Sequence, residues 1–285
     1  MSKVWFITGA SSGLGKALAL AALARGDKVA LAARRRESLE EIAQRNSEHA
    51  LTVSLDVTDP SQRRAALDAA LGRFGRIDVL ANIAGSGSLG AAEEFSTAQL
   101  LDQLAVNFIG AAELTRELMP TLRSQRSGHV LMLTSVLGLV SYPGFAPYCA
   151  SKFALEGWSE ALHTEVAPLG IKVTIVEPGA FRTDFLGDRN MRAEQRVADY
   201  RPVIDPIERH LNGNDGQQRG DPAKAALAML AVVDHANPPL RLMLGADAYS
   251  AWEKKRAALD AELAAWRAIG EATAFDWTEV RPVGG

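Results

Sequence analysis

The sequence predicts an α/β domain built on a doubly wound parallel sheet, and three observations carry that expectation. Short apolar runs of strand length alternate with longer stretches of helical period, the pattern of a parallel sheet covered by helices on both faces. The first apolar run passes directly into a glycine-rich turn and then into an Ala- and Leu-rich helix. With 285 residues, 47% of them hydrophobic, the chain can bury one large core.

The candidate strands, in order, are "KVWFIT", "KVALAA", "ALTVSL", "DVLAN", "HVLMLTS", "KVTIVE" and "LRLML". Between them lie helical stretches such as "LGKALALAALARG" and "PSQRRAALDAALGRFG", each closed by a glycine suited to a helix C-terminus. One repeating pattern makes residues 1–245 a single domain. Within it, residues 186–220 form a long polar excursion punctuated by Pro and Gly, which reads as a substrate lid. Residues 246–285 read as a C-terminal helical extension packed on the same domain.

Composition excludes several function classes. The net charge of -3 gives no basic footprint for a nucleic-acid backbone. The single cysteine, Cys149, excludes an intrachain disulfide and fits a reducing compartment. No apolar run approaches the roughly 18 residues of a membrane span, and the opening segment has only four apolar residues in succession. A cytoplasmic protein without nucleic-acid or membrane partners is expected. The five histidines show no metal-ligand spacing, and no metal is assigned.

The first turn carries Gly9, Gly13 and Gly15 between a strand and a helix N-terminus. Glycines let a backbone approach phosphates closely, and the helix supplies free N–H groups and a positive dipole end, so a dinucleotide pyrophosphate fits here. The spacing is G-x-x-x-G-x-G and not the general G-x-G-x-x-G. The second strand ends in "ALAARRRE". An NAD site generally ends this strand in an acid for the ribose 2'-hydroxyl; here Ala33 stands there and Arg34 follows, a pairing suited to a 2'-phosphate and hence to NADP. Arg35 and Arg36 read equally as phosphate contacts or as a solvated helix start.

Tyr148 and Lys152 are four apart at the start of a helical stretch and share a face. A phenol titrates at about 10, and an adjacent positive charge is expected to lower that value and tune the tyrosine as a proton donor. Ser135 ends the fifth strand at the carboxyl edge of the sheet, where ligands bind in such folds. Cys149 reads as a small buried residue.

Taken together, "TGASSGLG", "NIAG", Ser135, "YCASK" and "PGAFRT" resemble the short-chain dehydrogenase/reductase (SDR) family over roughly residues 3–245. The resemblance implies a Rossmann fold with strand order 3-2-1-4-5-6-7 and hydride transfer between NADP(H) and a carbonyl or alcohol. It assigns Ser135, Tyr148 and Lys152 to catalysis, with Asn107 holding a water that links Lys152 to solvent. It assigns Gly9, Ser11, Ser12, Gly13, Leu14 and Gly15 to the pyrophosphate end of the cofactor, and Asp56 and Val57 to the adenine. Asn82, Ala84 and Gly85 fall at the ribose, although Ile83 replaces the family's second Asn. Tyr148 and Lys152 also face the cofactor, while Pro178, Gly179 and Thr183 close over the carboxamide and expose the pro-S hydride.

Val140, Tyr142, Phe145, Phe181, Phe185 and Leu186 lie in loops expected to border the pocket, with Tyr142, Phe181 and Phe185 joining Ser135 and Tyr148 on the substrate. They suggest an apolar ketone, hydroxy-lipid or steroid-like alcohol, or else ordinary packing. The family also implies a homodimer or homotetramer in which the helices carrying Asn107 and Tyr148 form a shared bundle. A competing reading is a non-catalytic NADP sensor on the same fold.

Overall fold

The computed structural model describes residues 2–183 and 190–275. β1 (Val4–Thr8) is buried at all five positions, as a strand covered on both faces must be. It pairs in parallel with β2 (Lys28–Ala33) on one side and β4 (Val79–Asn82) on the other. β3 (Ala50–Ser54) extends the sheet beyond β2; β5 (Gly128–Leu133), β6 (Ile171–Pro178) and β7 (Arg241–Leu244) extend it beyond β4. Counting these seven strands along the chain, their order is 3-2-1-4-5-6-7, as the family resemblance implies.

One face of the sheet is covered by α1 (Gly13–Ala24) and a helix at Pro222–Asp234, where Leu18, Ala22, Met229 and Leu230 form the core. On this side α2 (Glu37–Gln44) contributes Leu39 and Ile42. The opposite face is covered by α3 (Pro60–Phe74), by α4 (Thr97–Leu104) continuing through a π turn (Ala105–Ile109) into α5 (Gly110–Gln125), and by α6 (Ala146–Val166). Leu67, Leu114, Leu118 and Leu155 pack there. α3 illustrates the local logic. Asp59 caps its first N–H groups, Pro60 occupies the first turn where an N–H would lack a helical partner, and Gly75 ends it at φ 77°. The strand order reverses between β1 and β4, so the loops leaving their carboxyl ends diverge and open a crevice.

The polar excursion contains more structure than its composition suggests. Met191–Arg192 pairs in parallel with Ser88–Leu89, a two-stranded ladder outside the main sheet. α7 (Arg201–Gly213) follows, with Pro202 in its first turn and Pro206 inside it. Buried Glu94 anchors this segment: its carboxylate accepts from the backbone N–H of Ala91 (2.8 Å) and Val197 (2.7 Å) and pairs with Arg201. Residues 186–189 of the expected lid lie outside the described residues.

The Pro222–Asp234 helix is α8, and α9 (Ala246–Glu271) is the C-terminal extension. Ala248 is fully buried, and Ala251 and Trp252 pack against the cluster of Val136 and Val140. From Glu253 onward every described residue is exposed, so packing on the domain is confined to the first turns. Beyond Trp252 the apolar residues of α9 face solvent. Among the described residues no helix is long and apolar enough to cross a membrane.

Candidate active site

The turn after β1 is built too tightly for side chains. Gly9 and Gly13 adopt φ values of 66° and 52°, the left-handed region that glycine reaches without strain. A Cβ on Gly15 would stand 2.3 Å from the carbonyl oxygen of Gly9, and one on Gly9 would stand 3.0 Å from the backbone nitrogen of Ala84. Ser12 precedes α1 without capping it through its side chain, leaving the helix N-terminus available to an anionic group. Thr8 ties the turn to the loop after β4: its Oγ1 accepts from Ile83 N–H (2.9 Å) and Ala84 N–H (3.0 Å).

These elements border a cavity of about 740 Å³ along the carboxyl edge of the sheet. On the β2–β3 side its walls include Arg34, Arg35, Asp56 and Val57; in the middle, Ser11 to Gly15 with Ala84 and Gly85. On the β5–β6 side it is lined by Ser135, Tyr148, Lys152, Pro178, Gly179 and Thr183. The glycine cradle, the open helix N-terminus and the arginines at one end fit a dinucleotide phosphate chain. A second cavity of about 60 Å³, between Glu94, Arg192 and Arg201, is too small for such a ligand.

Two expected contacts fall outside the cavity lining. Asn82 is buried, and its amide donates to Thr115 Oγ1 at 2.9 Å, fastening β4 to α5 instead of facing a ribose. Asn107 sits on the π turn. Its amide donates to Ser86 O (2.9 Å) and Ser151 Oγ (3.0 Å), and its Oδ1 accepts from Ser86 N–H (2.9 Å). Those bonds make it a clamp on the loop after β4. A Cβ on Gly85 would lie 3.2 Å from Asn107 Oδ1 and 3.6 Å from Lys152 Nζ, so a glycine is what lets the two approach the same strip of backbone.

Ser135 follows β5, and its hydroxyl accepts from Leu137 N–H at 3.1 Å. Tyr148 lies in the first turn of α6 and Lys152 one turn later; the Lys152 ammonium donates to Leu133 O at 2.8 Å and lies 5.7 Å from the Tyr148 ring centroid. The expected lowering of the phenol pKa is reversed in the protein alone. Burial pushes Tyr148 above the usual tyrosine value, against a hydrogen bond with Ser135 that pulls it down, while Cys149 adds to the rise. Burial also pushes Lys152 down to about 8, with the Glu156 carboxylate opposing. An ammonium desolvated this far, and engaged by a carbonyl, does not offset the desolvation of the phenol beside it.

Of the three consecutive arginines, Arg36 is engaged by Glu40 (3.1 Å) and Thr52 (3.0 Å), whereas Arg34 and Arg35 line the cavity. Ala33, at the end of β2, presents no acid beside them. Tyr142, Phe145 and Phe181 border the cavity as expected; Val140 instead packs with Val136 and Ala248 beneath α9. Phe185 and Leu186 lie outside the described residues.

Sequence reasoning missed Asp247, in the first turn of α9. Its Oδ2 accepts from Ala180 N–H at 2.7 Å, and a Cβ on Gly179 would come within 2.3 Å of it. A carboxylate thus holds the loop that follows β6 and lines the cavity. Met191, Arg192 and Leu211, within the expected lid at 186–220, also line the cavity. Among the described residues no cluster of His, Cys, Asp or Glu is arranged for a metal.

Comparison with known proteins gives concordant matches. The sequence profile described as short chain dehydrogenase matches residues 3–194. Oxidoreductase BOA17 of Botryotinia fuckeliana is 37% identical over 275 residues, covering 96% of this chain and all of that protein. A 3-ketodihydrosphingosine reductase of Bacteroides thetaiotaomicron is 33% identical over 245 residues, covering 85% of this chain and 88% of that one. The crystal structure of a short-chain dehydrogenase from Streptomyces avermitilis superposes with a TM-score of 0.89 at 42% identity, covering 96% of this chain and 98% of that one.

Proposed function

This chain belongs to the short-chain dehydrogenase family and is an oxidoreductase of that family, and we propose that it interconverts a ketone or aldehyde and the corresponding alcohol using NADP(H). The observation that carries this reading is one cavity lined by the glycine turn, Arg34, Ser135, Tyr148 and Lys152. When bound, the reduced nicotinamide supplies the hydride.

The chain's own residues supply the rest. Ser135 orients the substrate oxygen by a hydrogen bond. Tyr148, protonated at neutral pH, gives that oxygen its proton from Oη, and the burial that raises its pKa in the protein alone is what the positive charges beside it must offset when the proton leaves. Lys152 lies where its charge stabilises the phenolate left behind. Asn107, through Ser86 and Ser151, positions the loop beside Lys152. Asp247 steadies Gly179 and Ala180, the loop expected to close over the carboxamide.

NADP preference rests on Arg34, without an acid at Ala33, with Arg35 as a second charge in the same wall. The substrate is read as an apolar carbonyl, hydroxy-lipid or steroid-like alcohol because Tyr142, Phe145, Phe181, Leu137, Met191 and Leu211 line the cavity. The relative named 3-ketodihydrosphingosine reductase fits that class. Residues 190–220 act as its lid. Leu101, Ile109 and Phe153, exposed on α4, the π turn and α6, support a homodimer or homotetramer through a shared helical bundle. A cytoplasmic location accords with the free, buried Cys149.

The experiment is Tyr148→Phe, which keeps the ring and removes the proton-bearing oxygen. Turnover of NADPH with a carbonyl should be lost while NADPH affinity is nearly unchanged. Retention of a tenth of the wild-type rate removes Tyr148 from the proton-transfer role. Binding without turnover in the wild-type protein supports the sensor reading.

A further inference from the structure

α9 runs clear of the domain after Trp252, and its described residues from Glu253 to Glu271 are all exposed. Large apolar residues recur along it at Trp252, Leu259, Leu263, Trp266 and Ile269, spacings of three, four and seven that align them as one stripe. Leu263, Trp266 and Ile269 are 61%, 63% and 64% exposed. Helices of this kind draw most of their stability from the covering of such a face, and three bulky side chains in succession mark an interaction surface.

The flanking charges identify what covers it. Residues 253–258 hold one acid, Glu253, against Lys254, Lys255 and Arg256; residues 259–271 hold Asp260, Glu262 and Glu271 against Arg267 alone. The inner half is therefore net positive by two and the outer half net negative by two. Two copies of α9 running antiparallel about a two-fold axis at the middle of the stripe, near residue 264, bring Arg267 of each copy beside Asp260 and Glu262 of the other and Glu271 beside Arg256, whereas a parallel pair in register opposes like charges. A lipid surface is disfavoured, because four acids and four bases leave no basic face for anionic headgroups. An antiparallel self-pairing also closes by a two-fold axis, without open-ended assembly.

We propose that α9 is an association helix, on which a second copy of this chain docks its own α9 antiparallel, with Leu259, Leu263, Trp266 and Ile269 in the seam. The surface is separate from that of Leu101, Ile109 and Phe153, so one interface can be lost while the other persists.

Sedimentation of the full chain tests this. Leu263→Glu with Trp266→Glu should halve the assembly mass relative to wild type at the same concentration, with NADPH binding unchanged as the control for folding. A monomeric wild-type protein, or a double variant of wild-type mass, overturns the proposal. Charge reversal then identifies the occupant. One variant carries Lys254→Glu, Lys255→Glu and Arg256→Glu; the other carries Asp260→Lys, Glu262→Lys and Glu271→Lys. Each alone should have the halved mass, and their equimolar mixture should regain the wild-type mass. Failure of the mixture to reassociate, or wild-type binding to phosphatidylserine vesicles that the double variant loses without a change in mass, overturns self-docking.

Discussion

The ammonium of Lys152 lies 5.7 Å from the centroid of the Tyr148 ring and spends a hydrogen bond on the carbonyl of Leu133. Burial that lowers Lys152 to about 8 from 10.5 makes the charged lysine a liability to the fold. Below pH 8 both the folded and the unfolded chain hold this proton, and the full destabilisation is present. Between pH 8 and 10.5 the folded protein releases its proton first, and the destabilisation fades. Urea denaturation of wild type and Lys152→Met should therefore show wild type gaining about 2–3 kcal/mol relative to the variant across that window. A difference that stays constant with pH contradicts the lysine's shift.

The seven strands were legible because parallel strands buried on both faces read as continuous apolar runs, whereas their order came from the family resemblance alone. The glycine turn was legible because its backbone excludes side chains, and the position of Arg34 in the cavity wall because it directly follows β2 at the carboxyl edge of the sheet. α7 was not, since Pro202 and Pro206 read as punctuation while the fold places one in a first turn and tolerates the other. Asp247 was hidden by a separation of 67 residues from Ala180. The side chain of Asn82 was misplaced because its partner, Thr115, lies on a distant helix. The direction of the Tyr148 shift depends on how deeply α6 is buried, which no local spacing reveals.

Gly15→Ala places a methyl group 2.3 Å from a backbone oxygen that cannot move without opening the turn. A loss of roughly 1–3 kcal/mol in stability is expected, as for overpacking elsewhere, together with at least a tenfold weaker NADPH affinity. Gly72→Ala, at an open position in the last turn of α3, is the control and should stabilise by about 0.5–1 kcal/mol. Thermal melts and NADPH titration of both variants check this.

Asp247→Ala removes the acceptor that holds Ala180 N–H. Cofactor affinity should fall several-fold with little change in melting temperature, because Asp247 is exposed and outside the core. Asp247→Asn keeps an oxygen in place and should restore most of the affinity. Equal loss in both variants would instead assign the effect to charge.

Ala33→Asp with Arg34→Ala replaces an attraction for the 2'-phosphate by a repulsion. Losing a charge-assisted contact is worth roughly 1.5–3 kcal/mol, so NADPH should lose at least tenfold in kcat/KM while NADH gains. Steady-state kinetics with both cofactors measure the inversion.

The most direct measurement is carbonyl-dependent oxidation of reduced cofactor by the wild-type protein, followed with NADPH and NADH against a panel of apolar ketones and aldehydes. The expected result is turnover with at least one of them and a kcat/KM at least tenfold higher with NADPH. Tight NADPH binding without carbonyl-dependent oxidation across the panel would contradict hydride transfer, and equal efficiency with both cofactors would contradict the role of Arg34.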